Sequence, residues 1–506
     1  MFMARKNQKA QVQDEPRKRD DLIGSIVSAI KAASPKKGDQ GSVYVTRMTQ
    51  ADKIFSAIRH VVRTGLQPFD DIVGPVPVGR IMEVFGPEAS GKTEFIRKLV
   101  KQAWCKELYL YNPDGSLTQM DDDTEVIILY FDNEHSMVSD TGKIIIDGVA
   151  IDGVLTECDV VEDMWKNIDI TLDRVQACRK AEEEKVKRAQ KEKREYRPKK
   201  FLTIIVVDTI ASMSSVDEFT REWGDDDYPR MPKKLKDGFK RMVRRIGNEN
   251  VIFIGSNQGN EKFQRARSYG PIAMDQKYSA PGGKALKFFA STRVCFEQQP
   301  VKYTLDEDYR FQQGYVIAFM STKNRIKKPL REGRLVLLFD SAPNIHGEMT
   351  PSGLNNEFSI LETLLFLKFA DFGDDKFIRF KFREMGVPLT TFNNLEPDEE
   401  PSIPARTDWV AFFAAHKADV DAMWQLAVDY IHKDRGVTNI KAIEAVADPV
   451  TGEEEPEPGP ERESEPPDRV VEPQAPAVPA RAPRVFPRGP VAQTLPAPKG
   501  VLSVPE

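Results

Sequence analysis

Cysteine is scarce in this chain: four in 506 residues, Cys105, Cys158, Cys178 and Cys295, with no C-x-x-C pair and no histidine at zinc-ligand spacing. That excludes a disulfide framework and a structural zinc site as organising devices and leaves four plain thiols. No run of eighteen apolar residues occurs, and the N-terminus lacks the charged-then-apolar layout of a secretion signal, so the expected compartment is the cytoplasm and no membrane partner is expected. Net positive charge is also missing. Lys and Arg number 73 against 78 Asp and Glu, a formal charge of -5. The total does not advertise a nucleic-acid binder, yet a basic groove can coexist with an acidic tail, so distribution matters more than the sum.

What is present is a soluble composition, 40% hydrophobic and 30% charged, on a chain long enough for one large α/β domain with appendages. Residues 1–20 are polar and read as disordered. Leu22, Ile23, Ile26, Val27 and Ile30 then recur at helical spacing, and the short strand Ser42-Val43-Tyr44-Val45 follows. This pair, within residues 21–49, is too small for a core of its own and must pack on something else. Over residues 50–350 apolar runs alternate with helical patterns: Arg80 to Phe85, Val126 to Phe131, Leu202 to Val207, Val251 to Ile254, Thr292 to Phe296, Val316 to Met320 and Leu335 to Phe339. Strands alternating with helices predict an α/β fold with a mostly parallel sheet covered on both faces.

The segment from Asp163 to Lys200 starts amphipathic, with Ile168, Leu172 and Val175 on one face, and becomes almost wholly charged over about residues 176–200. No a/d heptad survives three repeats there, which favours a solvated helix extending past the domain over a coiled coil. A small helical domain is expected over residues 351–435, with Trp409, Phe412, Phe413, Met423, Trp424, Leu426 and Tyr430 at helical intervals. Residues 436–506 turn acidic and then Pro-rich, a composition that cannot offset the entropy of ordering.

The most specific chemistry lies at Gly86-Pro87-Glu88-Ala89-Ser90-Gly91-Lys92-Thr93, which matches the phosphate-binding P-loop pattern in full, with a strand before it and a helix from Glu94 after it. Backbone N–H groups of such a loop curl around phosphates, Lys92 reaches the β- and γ-phosphates, and the Thr93 hydroxyl suits magnesium. Hydrolysis needs carboxylates near the metal and the attacking water. Asp208 closes Ile204-Ile205-Val206-Val207-Asp208 in the manner of a Walker B magnesium partner, and Glu134 follows Leu129-Tyr130-Phe131-Asp132-Asn133 where a general base would stand. The competing reading of each is an ordinary loop carboxylate. Gln258, another strand-end polar residue, is placed to sense a γ-phosphate by hydrogen bonding.

Together these segments resemble the bacterial and phage RecA-type DNA recombinases, collinearly over most of residues 21 to 433. The resemblance rests on Gly79 through Thr93, Asp132-Asn133-Glu134-His135, Val206-Val207-Asp208-Thr209, Asn257-Gln258 and, above all, Pro281-Gly282-Gly283-Lys284-Ala285-Leu286-Lys287-Phe288-Phe289-Ala290-Ser291. That last block is not demanded by ATPase chemistry in general. The resemblance implies a RecA-like P-loop ATPase core that uses ATP and Mg2+, an N-terminal polymerisation arm at residues 21–49, a small C-terminal domain and a homo-oligomeric filament on DNA. It places a first DNA loop from about Glu218 to Met231 and a second between Gln258 and Gly282. Lys262, Arg265, Arg267 and Lys277 of the second loop interleave with Phe263, Tyr269 and Tyr278, a mixture suited to phosphates and bases. Lys240, Gly282, Gly283 and Lys284 join the DNA-contacting set by the same resemblance; a mobile basic loop is the competing reading.

Lys323-Asn324-Arg325 resembles the family's Lys-Asn-Lys element, whose cations reach a neighbouring subunit's γ-phosphate. Arg for the second Lys keeps the charge and adds a planar donor fork. There are departures: Glu94 replaces a second hydroxyl residue after Thr93, Thr141 falls near an expected adenine-stacking Tyr, Asp225-Asp226-Asp227 sits in the first loop, the second loop is long, and the charged insertion around Glu182 to Lys193 has no family counterpart. They point to a divergent member. The expected function is an ATP-dependent recombinase acting on single- and double-stranded DNA, in a bacterial cell or phage-infected host; a hexameric helicase or translocase and a non-catalytic ATP-binding recombination mediator stay open as alternatives.

Overall fold

The computed structural model describes residues 58–433 apart from stretches at 113–115, 121–122, 137–143, 222–229, 262–276, 280–283, 301–302, 305–311, 374–375, 393–394 and 397–398. The expected arm and tail, Thr141, the Asp225–Asp227 run, and Lys262, Phe263, Arg265, Arg267, Gly282 and Gly283 lie outside the described residues.

A nine-stranded sheet organises the chain. Its strands are β1 (Arg80–Gly86), β2 (Thr124–Asp132), β3 (Val154–Thr156), β4 (Lys200–Asp208), β5 (Val251–Gln258), β6 (Thr292–Gln298), β7 (Gly314–Lys323), β8 (Glu332–Leu338) and β9 (Gly353–Asn355). The spatial order is β9-β8-β7-β6-β1-β5-β4-β2-β3. From β6 through β1, β5, β4 and β2 to β3 every pairing is parallel, while β6-β7, β7-β8 and β8-β9 are antiparallel. All seven runs expected as strands take their places in this sheet.

The period of two along each strand divides the core between the faces. Met82, Val84, Ile128, Tyr130, Ile204, Val206, Ile252 and Ile254 point to one face, where helix α1 (Lys92–Trp104) lays down Phe95, Ile96, Leu99 and Val100. Ile81, Leu129, Phe131, Ile205, Val207 and Phe253 point to the other, covered by helices α2 (Val161–Lys191) and α3 (Met231–Asn248). Ile168, Leu172 and Val175 are buried under α2, as their spacing predicts. Gly238 of α3 admits the Trp165 indole: a Cβ there would lie 2.1 Å from the ring.

The charged part of α2 is not a free-standing rod. The helix stops at Lys191, and residues 192–199 return along it to enter β4. Glu182 and Ala189 are buried under this return. A short helix, α4 (Ala285–Phe289), precedes β6.

Helix α5 (Asn356–Phe366) follows edge strand β9 directly, its first turn capped by the Asn355 carboxamide oxygen, which accepts from Phe358 N–H at 3.0 Å. Helices α6 (Trp409–Ala415) and α7 (Lys417–His432) complete a second apolar cluster in which Val336 and Leu338 of β8 meet Phe358, Leu361, Trp409 and Met423. The Trp409 indole donates to the Glu357 carbonyl at 2.8 Å, and the Trp424 indole to Asp71 at 2.7 Å. The C-terminal helices are thus built onto the antiparallel half of the sheet.

Candidate nucleotide site

β1 ends at Gly86 and α1 begins at Lys92, so the intervening residues make a strand-to-helix loop at the carboxyl ends of the parallel strands. Two glycines are fixed by geometry. A Cβ on Gly86 would fall 2.0 Å from the Phe296 carbonyl oxygen, and Gly91, at the N-cap of α1, has φ 80°, where side chains are strained. Ser90 is buried and its hydroxyl donates to the Pro87 carbonyl at 2.8 Å. The first turn of α1 aims its unpaired amides outward, with Lys92, Thr93 and Glu94 at the mouth. Lys92 Nζ donates to the carbonyls of Pro87 at 2.6 Å and Gly86 at 3.2 Å. Burial pulls the Lys92 ammonium below its ordinary pKa, opposed by the carboxylates of Glu134, Asp208 and Glu88.

This loop forms one wall of a cleft of about 790 Å³, whose lining includes Lys92, Thr93, Glu134, Thr209, Gln258 and Tyr315. Nine sequence-predicted residues therefore meet: Glu88 through Glu94, Glu134 and Gln258. Strand register explains why. Gln258 is paired with Gly86, Asp208 with Asp132 and Val207 with Gly255, so β1, β5, β4 and β2 end on the same side of the sheet, β4 and β2 two residues short of β1 and β5. Glu134 lies just past the end of β2, where Asn133 staples the turn: its N–H donates to the Asp208 carbonyl at 2.8 Å and its carboxamide to the Thr209 carbonyl at 3.3 Å. Partial burial and the nearby Asp208 charge raise the Glu134 pKa above the usual carboxylate value, with Lys92 pulling the other way.

Asp208 does not face the cleft openly. It is 1% exposed, accepting from the Tyr130 hydroxyl at 3.0 Å and from the Ser256 hydroxyl. Burial, then the Asp208 charge, drives the Tyr130 phenol well above its ordinary pKa, so it remains a donor. Tyr130, Ser256 and Tyr315 escaped the sequence reading. The only signal for the first two was a hydroxyl within an otherwise apolar strand, and nothing marked Tyr315.

Lys323 and Arg325 are not brought to this cleft. Lys323 is registered with Arg293 on β6, whose neighbour Thr292 pairs with Met82, so the end of β7 lies toward the start of β1, away from Gly86. Lys323 Nζ donates to the carbonyls of Lys287 and Phe288, each at 3.0 Å, at the end of α4. Asn324 fastens the turn by donating to the Val73 carbonyl at 2.6 Å, and Arg325 is exposed. Of the expected DNA contacts, Lys240 and Lys284 are exposed; Lys240 lies 3.5 Å from Asp237.

The two expected DNA loops have built bases. Glu218 closes the first, accepting from Ser215 N–H at 2.7 Å and Met231 N–H at 3.0 Å. A two-stranded ribbon, Asn260–Glu261 against Tyr278–Ser279, closes the second, and the Tyr278 hydroxyl donates to Glu297 at 2.9 Å.

The residues fit a nucleotide with a hard cation. Gly86 and Gly91 let the loop pack against Phe296 and Ile317 where a side chain would collide, α1 offers its N-terminus to the cleft, and the Thr93 hydroxyl and the Glu134 carboxylate that line it are magnesium-type donors. Among the described residues no group of three or more His, Cys, Asp or Glu could hold a metal by itself.

Fold and loop define an α/β protein with a P-loop-type phosphate site and a large, mostly parallel sheet of the RecA-like kind. No family model matches the chain. It is similar to Protein RecA of Treponema denticola, 23% identical over 370 residues, covering 72% of this chain and 75% of that protein. Protein RecA of the Wolbachia strain from Brugia malayi is 23% identical over 339 residues, 66% of this chain and 77% of its own length. Protein RecA of Clostridium tetani is 22% identical over 285 residues, 56% and 66%. These distant matches support a relationship to the RecA family. No helix among the described residues is long and apolar enough to cross a membrane.

Proposed function

We propose that this chain is an ATP-dependent DNA recombinase that assembles as a filament on single-stranded DNA and catalyses homologous pairing and strand exchange with duplex DNA. The observation that carries this reading is the direct bond between the phosphate loop and the base of the second expected DNA loop: Gly259 N–H donates to the Gly86 carbonyl at 2.7 Å, two residues before that loop leaves its ribbon. The bond carries the β1–β5 ladder one step past the Gln258–Gly86 pair, so the chain enters the second expected DNA loop directly from the strand beside the phosphate loop.

In this reading Lys92 and the N-terminus of α1 bind the triphosphate, and Thr93 and Asp208 would hold magnesium. Bound there, magnesium would supply Lewis-acid neutralisation of the phosphate charge. Glu134, with its raised pKa, takes the proton of the attacking water, and Gln258 hydrogen-bonds the γ-phosphate and passes its presence to β5. Lys323 and Arg325, at the far end of β7, serve the cleft of a neighbouring subunit, stabilising charge that develops during transfer. The compartment of this activity is the cytoplasm of a bacterium or phage-infected host.

The test is ATP turnover with and without single-stranded DNA, with the same sample imaged. Filaments and DNA-stimulated turnover support the reading. Closed rings that unwind without strand exchange would replace it with a helicase, and absence of turnover with saturating DNA would leave a binding scaffold. Arg325→Ala should abolish DNA stimulation while nucleotide binding by the dissociated subunit survives; normal stimulation would remove the shared site.

A further inference from the structure

The insertion that ends α2 is built to hold positive charge in one place. Residues 185–200 carry nine Lys and Arg against two Glu, in a chain whose overall balance is negative. Such a concentration repels itself, and a merely solvated helix face commonly alternates its signs. Here alternation stops after Glu182-Glu183-Glu184.

The scaffold under these cations is specific. Arg179 ties α2 to the body of the sheet through the Phe201 carbonyl at 3.1 Å and the Glu249 carbonyl at 2.5 Å. Beyond it, the buried Glu182 carboxylate accepts from Lys185 at 2.6 Å, the Tyr196 hydroxyl at 2.7 Å and Lys199 N–H at 3.3 Å, clamping helix to return segment. Ala189 is 1% exposed beneath the turn, where Arg194 N–H donates to its carbonyl at 2.9 Å. Lys185, Arg194, Arg197 and Lys199 have acidic neighbours in Glu182, Glu192, Asp123 and Glu125. Lys187, Arg188, Lys191 and Lys193 are exposed and form no ion pair among the described residues.

Position separates this tip from the nucleotide cleft. α2 starts beside the carboxyl ends of the parallel strands, where Val160 bridges Ser214, and runs for about 46 Å, past the start of β4 at Lys200. The parallel strands themselves span about 30 Å. The tip therefore stands at the other end of the sheet from Gly86 and from the bases of the two expected DNA loops.

We propose that the tip of this insertion, presenting Lys187, Arg188, Lys191 and Lys193, is a docking surface for the phosphate backbone of duplex DNA. Duplex is favoured over single strand by what the surface lacks. Tyr196, the sole aromatic in residues 185–200, is committed to Glu182, so no ring is offered for stacking an unpaired base. Charge without stacking or base-reading groups gives sequence-independent, salt-sensitive backbone binding. The inference rests on the proposed function only for its choice of DNA as the polyanion.

The experiment uses the full chain and a labelled duplex, titrated from about 50 to about 200 mM KCl. Combined Lys187→Glu, Arg188→Glu, Lys191→Glu and Lys193→Glu should weaken duplex binding at least about tenfold and reduce the log–log salt slope by about 3 to 4. Single-strand affinity and single-strand-stimulated ATP turnover should stay at wild-type level. The corresponding Gln variant should show the same loss in weaker form, and Lys187→Arg, Lys191→Arg and Lys193→Arg together should retain binding, which guards against misfolding as the cause. Unchanged duplex affinity and slope in the Glu variant would overturn the proposal, as would equal loss of single-strand binding. Tip-dependent binding of phosphatidylserine vesicles with duplex binding intact would assign the surface to a membrane instead. If wild-type protein lacks DNA-stimulated turnover yet loses duplex binding with the tip variants, the inference stands while the recombinase reading falls.

Discussion

Gly259 and Gly86, 173 positions apart, meet in a single backbone hydrogen bond of 2.7 Å that joins the end of β5 to the first residue of the phosphate loop. The Gly86 carbonyl accepts from Lys92 Nζ as well, at 3.2 Å, so one oxygen serves both the nucleotide-facing lysine and the strand that leads toward residue 262. The contact makes coupling between the two segments a testable expectation.

Substituting Gly259 tests that coupling. A Cβ at this position would lie 2.9 Å from both the carbonyl carbon and the Cα of Gly86, backbone atoms that cannot swing aside. Gly259→Ala should force β1 and β5 apart at their ends, at a cost of about 1–3 kcal/mol. The expected result is ATP binding weakened roughly 5- to 150-fold in an equilibrium titration, with circular dichroism unchanged. Wild-type affinity would show that the contact relaxes freely and transmits nothing.

Glu134 should set the acidic limb of the turnover profile. Burial and the Asp208 charge raise its pKa, so the base becomes protonated, and turnover falls, at a pH above the ordinary carboxylate value of 4.5. Glu134→Gln should bind ATP normally, lose about 10²- to 10⁴-fold in kcat and flatten that limb. A variant that keeps both its rate and its acidic limb would assign the base elsewhere.

Asp70 is predicted to make stability fall as pH rises. It is 3% exposed, accepts from Thr64 N–H at 3.0 Å and the Thr64 hydroxyl at 3.0 Å, and burial pushes its carboxyl up to about 6 from 3.8. Since the folded chain then binds a proton more tightly than the unfolded one, this contribution is fully present below about 4. It is lost as pH rises through about 6. Unfolding free energies from urea titrations between those limits should decline for the wild type relative to Asp70→Asn by at most about 3 kcal/mol. Parallel curves would show that the Thr64 and Arg63 hydrogen bonds already compensate the buried charge.

Much of this protein is local and therefore legible in its residues. The loop Gly86 to Thr93 declares itself because its glycines, lysine and threonine act within eight positions, and the strands declare themselves because burial on two faces demands unbroken apolar runs such as Thr203 to Val207. Spacing also predicted that Ile168, Leu172 and Val175 would be buried. The same local reasoning expected a helix running out into solvent beyond residue 176; it could not foresee that Glu182 would receive Tyr196 and Lys199 from a returning segment.

Tertiary structure alone decided the rest, because it depends on register between distant strands. Only the parallel pairing of β1, β5, β4 and β2 brings Gly86, Gln258, Asp208 and Asp132 to one end of the sheet within two residues of register, and only that pairing sets Tyr130 and Ser256 on the Asp208 carboxylate. The antiparallel turn from β6 to β7 carries Lys323 to the opposite end of the sheet from the loop it resembles a partner for. Hydrophobic pattern specifies that a strand is buried; which strand lies beside it, and so which side chains meet at its end, follows from how the whole sheet is assembled.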